Sequence, residues 1–314
     1  MWFVLVSSLS ADEIVARMLV QQSHSRTILA LAAAAVGGNA TAGLTAQRRL
    51  LQLCCNLTRS TEAVGILFGD GAETAAEIAA AQESIHELLK AISTQLLSPR
   101  AAVHKVEADR ALGAMLRLLT NITADPNDGQ KFVCDLLPAL LVPAVVNSAE
   151  EDVRSGLHAA LRNLCYVRGP RTKKAEQTDR HTLLIVEVDI LPVLLTPLLA
   201  PANMDLGEET RSMLHPSLAA LIPADTTDEN ATVPDLDPVA QIRRDALESL
   251  LILTQSAIGE EELSSRYIFP LMESHYDAEL DADLAKLNQA RNQLTMCCRT
   301  RACNVLGSAR VCTC

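Results

Sequence analysis

The sequence predicts an all-α protein built from a repeated helical unit, and two observations support this prediction. First, a proline-leucine phrase at 135–143 recurs almost unchanged at 189–197, with a fainter copy at 267–272. Second, the 314 residues are 49% apolar but only 3% aromatic, so alanine and leucine must fill the core. Small and medium side chains suit helices packed at short distance, and the sequence lacks the apolar-polar alternation that is typical of strands.

An asparagine-centred phrase recurs at a related spacing and indicates the length of the unit. It stands at Asn56, Asn121 and Asn163, and a fourth copy around Ile252 has lost the asparagine. Asn121 and Asn163 are 42 residues apart, which is the length of an armadillo or HEAT repeat. Insertions into surface loops, which repeats tolerate, explain the larger spacings elsewhere. The sequence therefore predicts an armadillo/HEAT-like right-handed α-solenoid.

The spacing of apolar residues by three and four predicts the long helices. They are expected over 44–58, 107–122, 152–166, 239–255 and 279–296. The apolar face of the second helix consists of Leu112, Met115, Leu116, Leu119 and Ile122. That of the third consists of Val153, Leu157, Ala160, Leu161 and Leu164, and that of the fourth of Ile242, Ala246, Leu247, Leu250 and Leu251.

A proline stands at the same place in each copy of the proline-leucine phrase, at Pro138, Pro192 and Pro270. Proline is harmless in the first turn of a helix, because the amide there has no helical partner. Each unit is therefore predicted to contain a short connecting helix, a proline-opened helix and a long amphipathic helix. This arrangement is an armadillo unit.

The chain is predicted to divide into four segments. Residues 1–200 are expected to hold N-terminal armadillo repeats with alanine-rich and basic insertions, and 201–238 an acidic, proline-rich loop. Residues 239–296 are expected to hold the C-terminal armadillo repeats, and 297–314 an irregular cysteine-rich tail.

Charge and apolar run lengths exclude several partner classes. The net charge is −11, and residues 205–285 hold 18 acidic and 4 basic side chains, so we expect no nucleic-acid partner. The apolar runs are far shorter than a membrane span, so we expect no membrane partner. Nine cysteines do not pair at the repeat spacing, which favours a reduced, cytoplasmic protein.

The sequence carries no recognisable catalytic constellation. Phosphate-loop, nucleophile-elbow and H-E-x-x-H patterns are missing, and the seven histidines are scattered. The cysteines at 297, 298, 303, 312 and 314 match no zinc module, although zinc in purified material would reveal a site there. We expect no catalytic residues, no cofactor and no metal, and hence not an enzyme.

The asparagines at the edge of the apolar faces are the best candidates for partner binding. An amide offers a donor and an acceptor, which complement a peptide bond, so a ladder of asparagines can hold an extended segment. The structural alternative is that each asparagine bonds a neighbouring backbone and keeps the units in register. The predicted partner-binding residues are Asn56, Asn121, Asn163, Arg49, Arg117 and Arg162.

One stretch resembles a known family closely. Residues 187–201, with further matches at 153–156, 161–165, 242–243 and 266–269, resemble the eukaryotic armadillo-repeat family that acts as a folding chaperone for translation elongation factor 2. The resemblance covers about 110–295 and is strongest over about 150–275. It implies a non-enzymatic, cytosolic adaptor that binds newly made elongation factor 2 and helps to deliver it to the cytosolic ring chaperonin.

The alternative from another class is a generic armadillo scaffold that binds a linear peptide motif in signalling or nuclear transport. A transport receptor of this kind would carry a tryptophan one turn before each asparagine. The sole tryptophan is Trp2, which argues against a transport receptor.

Overall fold

The computed structural model describes six stretches of the chain and a few single positions. These are 44–59, 105–124, 148–166, 180–199, 208–222 and 237–268, with 64, 79, 83, 90, 133, 134 and 271. Every regular element in them is a helix, which confirms the all-α prediction. The chain forms two compact units, Met1–Leu164 and Cys165–Cys314. The predicted division into four segments stays a prediction.

Three long helices carry the described part of the first unit. They are α1 (Leu44–Leu57), α2 (Lys105–Thr123) and α3 (Glu151–Cys165), and α3 ends just past the boundary between the units. Each begins and ends within two residues of its predicted bounds. Two acidic residues occupy the first turn of α3 and Arg162 the last, which suits the dipole of the helix at both ends.

The predicted apolar faces form the core of this unit. All five residues predicted for α2 and all five predicted for α3 are buried. The helices α1 and α2 pack directly on each other, and the Cys55 thiol donates a hydrogen bond to the Ala114 carbonyl oxygen at 3.0 Å. The 3.6-residue period was therefore sufficient to identify the buried face of both helices.

The second unit contains shorter elements. In chain order they are a π-helix (Leu183–Glu187), α4 (Leu191–Leu195), a 3-10 turn (Thr196–Leu198), α5 (Glu208–Met213), α6 (Pro216–Ala219), α7 (Ala240–Leu253) and α8 (Ala257–Ser265). The short helix α4 and its 3-10 turn both pack against the long helix α7, and α4 also contacts α6. A proline-opened helix thus lies on a long amphipathic helix.

The proline-opened helix is confirmed at the one copy that the structure describes. Pro192 lies in the first turn of α4, and the residue that leads into the helix, Asp189, has a left-handed backbone with φ of 55°. The copies at Pro138 and Pro270 and the predicted helix 279–296 lie outside the described residues.

The segment 201–238, predicted to be a loop, differs from that prediction because it contains α5 and α6. The first turn of α5 carries Glu208 and Glu209 and its last turn carries a basic residue, so both ends suit the helix dipole. The helix α6 starts with Pro216, and the His215 side chain caps it by accepting a hydrogen bond from the Ser217 amide. Local capping therefore stabilises these two helices, although the proline-rich and acidic composition of the segment favours turns.

The end of α7 also corrects the sequence prediction. The helix was expected to run over 239–255 with Leu251 on its buried face, but it ends at Leu253, and Leu251 is only half-buried. The chain turns there because Ser256 opens α8, where its hydroxyl accepts the Gly259 amide at 3.1 Å. Leu253 takes the buried position instead.

The buried ring of His181 connects the end of α3 with the turn before α8. Its Nε2 lies 3.0 Å from the Cys165 carbonyl oxygen and its Nδ1 lies 2.6 Å from the Ser256 hydroxyl oxygen. A carbonyl oxygen can only accept, so Nε2 carries the proton and Nδ1 accepts from Ser256. Burial lowers the pKa of His181, the bond to Cys165 opposes this change, and the charge of Arg180 adds to it.

We expect the second unit to lose stability as the pH falls below about 6.5. A depressed folded-state pKa means that the unfolded chain binds the proton more tightly, so this stability is complete above the unfolded value and lost below it. The free energy of unfolding should therefore be lower at pH 5.5 than at pH 8 because of this group. Urea unfolding at both values checks this, with His181→Gln as a variant that does not titrate. Equal pH slopes for the two proteins would contradict the assignment.

Candidate partner-binding groove

The asparagine phrase connects one long helix to the next through hydrogen bonds. Asn121 on α2 donates from Nδ2 to the Cys55 carbonyl oxygen at 3.0 Å and to the Thr58 hydroxyl oxygen at 3.2 Å. Cys55 lies in the last turn of α1 and Thr58 directly follows the helix, where its hydroxyl donates to the carbonyl oxygen of Cys54. A single amide therefore connects the end of α2 to the end of α1.

The same contact recurs one unit later. Asn163 on α3 donates from Nδ2 to the Thr120 carbonyl oxygen at 3.1 Å and to the Thr123 hydroxyl oxygen at 3.3 Å. In both units the acceptors are the residue before the preceding asparagine and the threonine two residues after it. The alternative that each asparagine bonds a neighbouring helix is thus confirmed for Asn121 and Asn163.

A groove of about 340 Å³ lies beside these asparagine contacts (the asparagine ladder), on the face shared by the three described helices of the first unit. It is lined by Gln52, Cys55, Asn56, Arg59, Arg117, Thr120, Asn121, Asp152, Ser155, Gly156 and Ala159. Three of the six predicted partner-binding residues, Asn56, Asn121 and Arg117, are among them. The other three, Arg49, Arg162 and Asn163, are not part of its lining.

The predicted residues differ in what they can offer to a partner. Asn56 is only 6% exposed, and its carbonyl oxygen accepts a hydrogen bond from Gln52 Nε2 at 3.3 Å. Asn121 is half-buried, and Arg117 and Arg49 are exposed. Contact between these residues and a partner stays a prediction, because the ladder bonds explain the asparagines without a ligand.

The charges in the groove come from more than one helix. The Arg117 guanidinium pairs with the Asp152 carboxylate across α2 and α3. Burial raises the pKa of the Cys55 thiol to about 12, while the positive charges of Arg117 and Arg59 oppose the rise. The thiol therefore stays protonated and is a poor nucleophile. The positive charges of both arginines therefore act on the Cys55 thiol, which lines the groove.

A glycine allows α2 and α3 to approach closely along the groove. A Cβ atom at Gly156 would lie 2.8 Å from the Leu116 Cβ, which is closer than real side chains pack. The Gly156 carbonyl oxygen accepts a hydrogen bond from the Thr120 hydroxyl at 3.1 Å. The backbone of α3 thus forms part of the groove floor.

The sequence reasoning missed the threonines of the ladder. Thr58 and Thr123 accept the asparagine amides, yet only the asparagines were singled out. The signal was present, because threonine follows the asparagine by two residues at both Asn56 and Asn121. The close approach at Gly156 leaves no comparable signal, since a single helical glycine does not indicate which helix it faces.

Replacing Asn121 with alanine should lower the free energy of unfolding by about 1–2 kcal/mol, because two acceptors at the end of α1 lose their donor. Urea unfolding followed by far-ultraviolet circular dichroism measures the loss. Asn121→Asp, similar in size but without the amide protons, should cost at least as much as the alanine. An Asp variant as stable as the wild type would show that the amide donor does not matter.

Neither metal nor membrane features stand out in the part of the chain that the structure describes. No group of three His, Cys, Asp or Glu residues there has the arrangement to hold a metal ion. No single described helix has the length and apolar character to cross a bilayer. One pair, Arg180–Glu187 with Leu191–Leu198, meets the length and composition criteria together but is bent by 83°.

The curated proteins to which this chain is similar share the same name. No protein-family model matches the chain. The chain is 31% identical over 167 residues to the Danio rerio protein named Protein HGH1 homolog, a match that covers 52% of this chain and 39% of that protein. It is 27% identical over 207 residues to the Homo sapiens protein of the same name, covering 65% and 45%. The matched part thus spans less than half the length of these relatives.

Solved structures support the fold independently. A designed armadillo repeat protein in complex with the peptide (KR)4 superposes with a TM-score of 0.56 at 11% identity, covering 93% of this chain and 91% of that one. An engineered protein from a structural genomics programme gives a TM-score of 0.55 at 12% identity, covering 94% and 87%. The fold is therefore an all-α armadillo-type solenoid. The chain is thus similar in sequence to the curated proteins named Protein HGH1 homolog and similar in fold to an armadillo repeat protein.

Proposed function

We propose that this protein is a non-enzymatic, cytosolic folding chaperone or adaptor that binds newly made or incompletely folded translation elongation factor 2. The groove of the first unit holds an extended segment of this client, and the protein helps to deliver the client to the cytosolic ring chaperonin. The proposal is supported by the resemblance over about 150–275 and by a groove formed by three stacked helices.

The groove is the observation on which the proposal depends. Its lining offers amide, hydroxyl and guanidinium groups, which suit the backbone and polar side chains of an unfolded segment. A protein that acts by binding needs no nucleotide. Covering exposed segments of a half-folded domain lowers the population that is open to aggregation, by mass action.

Capture of purified elongation factor 2 by the full chain tests the proposal. Ala159→Trp fills the groove from α3 and should abolish most of the capture of partly unfolded factor. Ala124→Trp makes the same change at an exposed position just after α2, outside the groove lining, and should capture normally. Both variants should keep their helix content. Equal capture by both, or no capture by the wild type, would overturn the proposal.

The second candidate is a scaffold for a linear peptide motif, since the designed armadillo protein of similar fold holds a peptide. Affinity purification from cytosol at mild salt separates the two. Elongation factor 2 and chaperonin subunits should dominate the bound fraction if the chain is a chaperone. A kinase or transport partner in their place would favour the scaffold.

A further inference from the structure

The two positive charges among the groove-lining residues come from the end of α1 and from α2. Arg59 follows the end of α1 and Arg117 lies on α2, and both affect the same buried thiol, that of Cys55. Among the groove-lining residues, Asp152 is the only acidic one. The described lining therefore carries two positive charges and one negative charge, although the whole chain carries −11.

The ion pair in the groove is easily exchanged. The Arg117 and Asp152 side chains are 49% and 66% exposed. An ion pair this exposed contributes little to stability, because water solvates both charges nearly as well. A carboxylate brought by a ligand can replace Asp152 at the guanidinium. The Asp152 side chain is then solvated by water, so no unpaired charge is left buried.

The amide of Asn121 limits what else the groove can bind. Both protons of its Nδ2 are donated to the end of α1. Its carbonyl oxygen is the atom of this amide that remains to accept a hydrogen bond, and a peptide N–H is a fitting donor. The hydroxyl of Thr120 is also committed, since it lies within hydrogen-bond distance of the Leu116 and Gly156 carbonyl oxygens.

We propose that the groove selects an extended peptide segment that carries an acidic side chain. The carboxylate of this side chain binds the Arg117 guanidinium in the positive field of Arg59, and the adjacent peptide N–H donates to the carbonyl oxygen of Asn121. This inference rests on the proposed function and names the ligand class of its groove. A basic peptide such as (KR)4, which the designed armadillo protein holds, would instead meet two arginines here.

Binding of three labelled peptides of equal length to the full chain tests this selectivity by fluorescence anisotropy. The peptides are (ES)4, its neutral counterpart (QS)4, and (KR)4. We expect (ES)4 to bind about fivefold or more tightly than (QS)4, since one charge-assisted contact at a partly exposed site is worth about 1 kcal/mol. The preference should shrink as salt is raised, because the charges are exposed.

Variants of the groove charges identify the site. Arg117→Gln should remove most of the preference for (ES)4 and leave (QS)4 binding nearly unchanged. Lys105→Gln deletes one charge from an exposed residue of the same helix outside the groove lining and should leave both unchanged. Asp152→Asn, which removes the competing carboxylate, should strengthen binding of (ES)4.

Three outcomes would overturn the inference: equal binding of (ES)4 and (QS)4, tighter binding of (KR)4, or no binding of any peptide. The Ala159→Trp comparison with elongation factor 2 is a separate measurement. If it shows groove-dependent capture while the peptides show no acidic preference, the proposed function stands and only the ligand class is wrong. If capture does not depend on the groove, the proposed function is wrong, and the inferred ligand class, which rests on it, is wrong as well.

Discussion

Replacing Arg266 with alanine is expected to lower the free energy of unfolding of the second unit by about 3 kcal/mol. The Arg266 side chain is only 9% exposed. It donates to the Asp189 carboxylate at 2.5 Å, to the Glu262 carboxylate at 3.0 Å and to the Ile185 carbonyl oxygen at 3.1 Å. Removal of the guanidinium leaves all three acceptors without this donor.

The position of Arg266 makes the loss larger than that of an ordinary ion pair. Asp189 and the next residue after Arg266, Tyr267, both have left-handed backbones, with φ of 55° and 61°. Such a conformation costs on the order of 1 kcal/mol or more for a residue with a Cβ atom. The guanidinium contacts Asp189 itself and the π-helix before it, so it stabilises the turn that leads into α4.

Urea unfolding of the full chain, followed by far-ultraviolet circular dichroism, measures the effect. Arg266→Lys keeps the charge but not the forked geometry, so it should recover only part of the loss. Arg244→Ala removes an arginine of the same unit that is half-buried on α7 and should cost less than 1 kcal/mol. If Arg266→Ala is as stable as Arg244→Ala, the turn does not depend on this side chain.

The sequence was sufficient to predict the long helices because their signal is local. A stripe such as Leu112 to Ile122 repeats every three or four residues, and burial of that stripe is what stabilises the helix. The positions of the ladder asparagines were predictable for the same reason, but their hydrogen-bond partners were not. The phrase recurs in the sequence, but its direction toward the preceding helix depends on how the units stack.

Contacts between distant residues were not predictable by this reasoning. His181 and Ser256 are 75 residues apart, and Arg266 and Asp189 are 77 apart, so no periodicity connects them. In the sequence, these polar residues look like those of many surface positions. The π-helix at Leu183–Glu187 was missed because an extra residue in a helical turn changes the register without changing the composition.

The groove itself depends on a glycine, and Gly156→Val is expected to damage both stability and client capture. A Cβ atom at this position would lie 2.8 Å from the Leu116 Cβ and 3.3 Å from its carbonyl carbon. Part of that contact is backbone, so rotation of a side chain cannot relieve it, and α2 and α3 must move apart. We expect the free energy of unfolding to fall by about 2–3 kcal/mol.

Separation of the two helices would also break the contacts that shape the groove. The Thr120 hydroxyl bonds to the Gly156 carbonyl oxygen, and Asn163 bonds to the Thr120 carbonyl oxygen, so both depend on the close approach. The Arg117–Asp152 pair bridges the same two helices. Capture of elongation factor 2 and the preference for an acidic peptide should therefore both be lost in Gly156→Val, even where the variant remains folded.

A second glycine at the same helix contact provides the matched control. A Cβ atom at Gly113 would meet the Asp152 Cβ at 3.2 Å, which a shift of a few tenths of an ångström relieves, whereas the contact at Gly156 is 2.8 Å. Gly113→Ala also gains up to about 1 kcal/mol of helix propensity, so its stability should stay near that of the wild type. Urea unfolding and anisotropy on both variants measure the difference. If Gly156→Val binds as Gly113→Ala does, the groove does not require the close approach of α2 and α3.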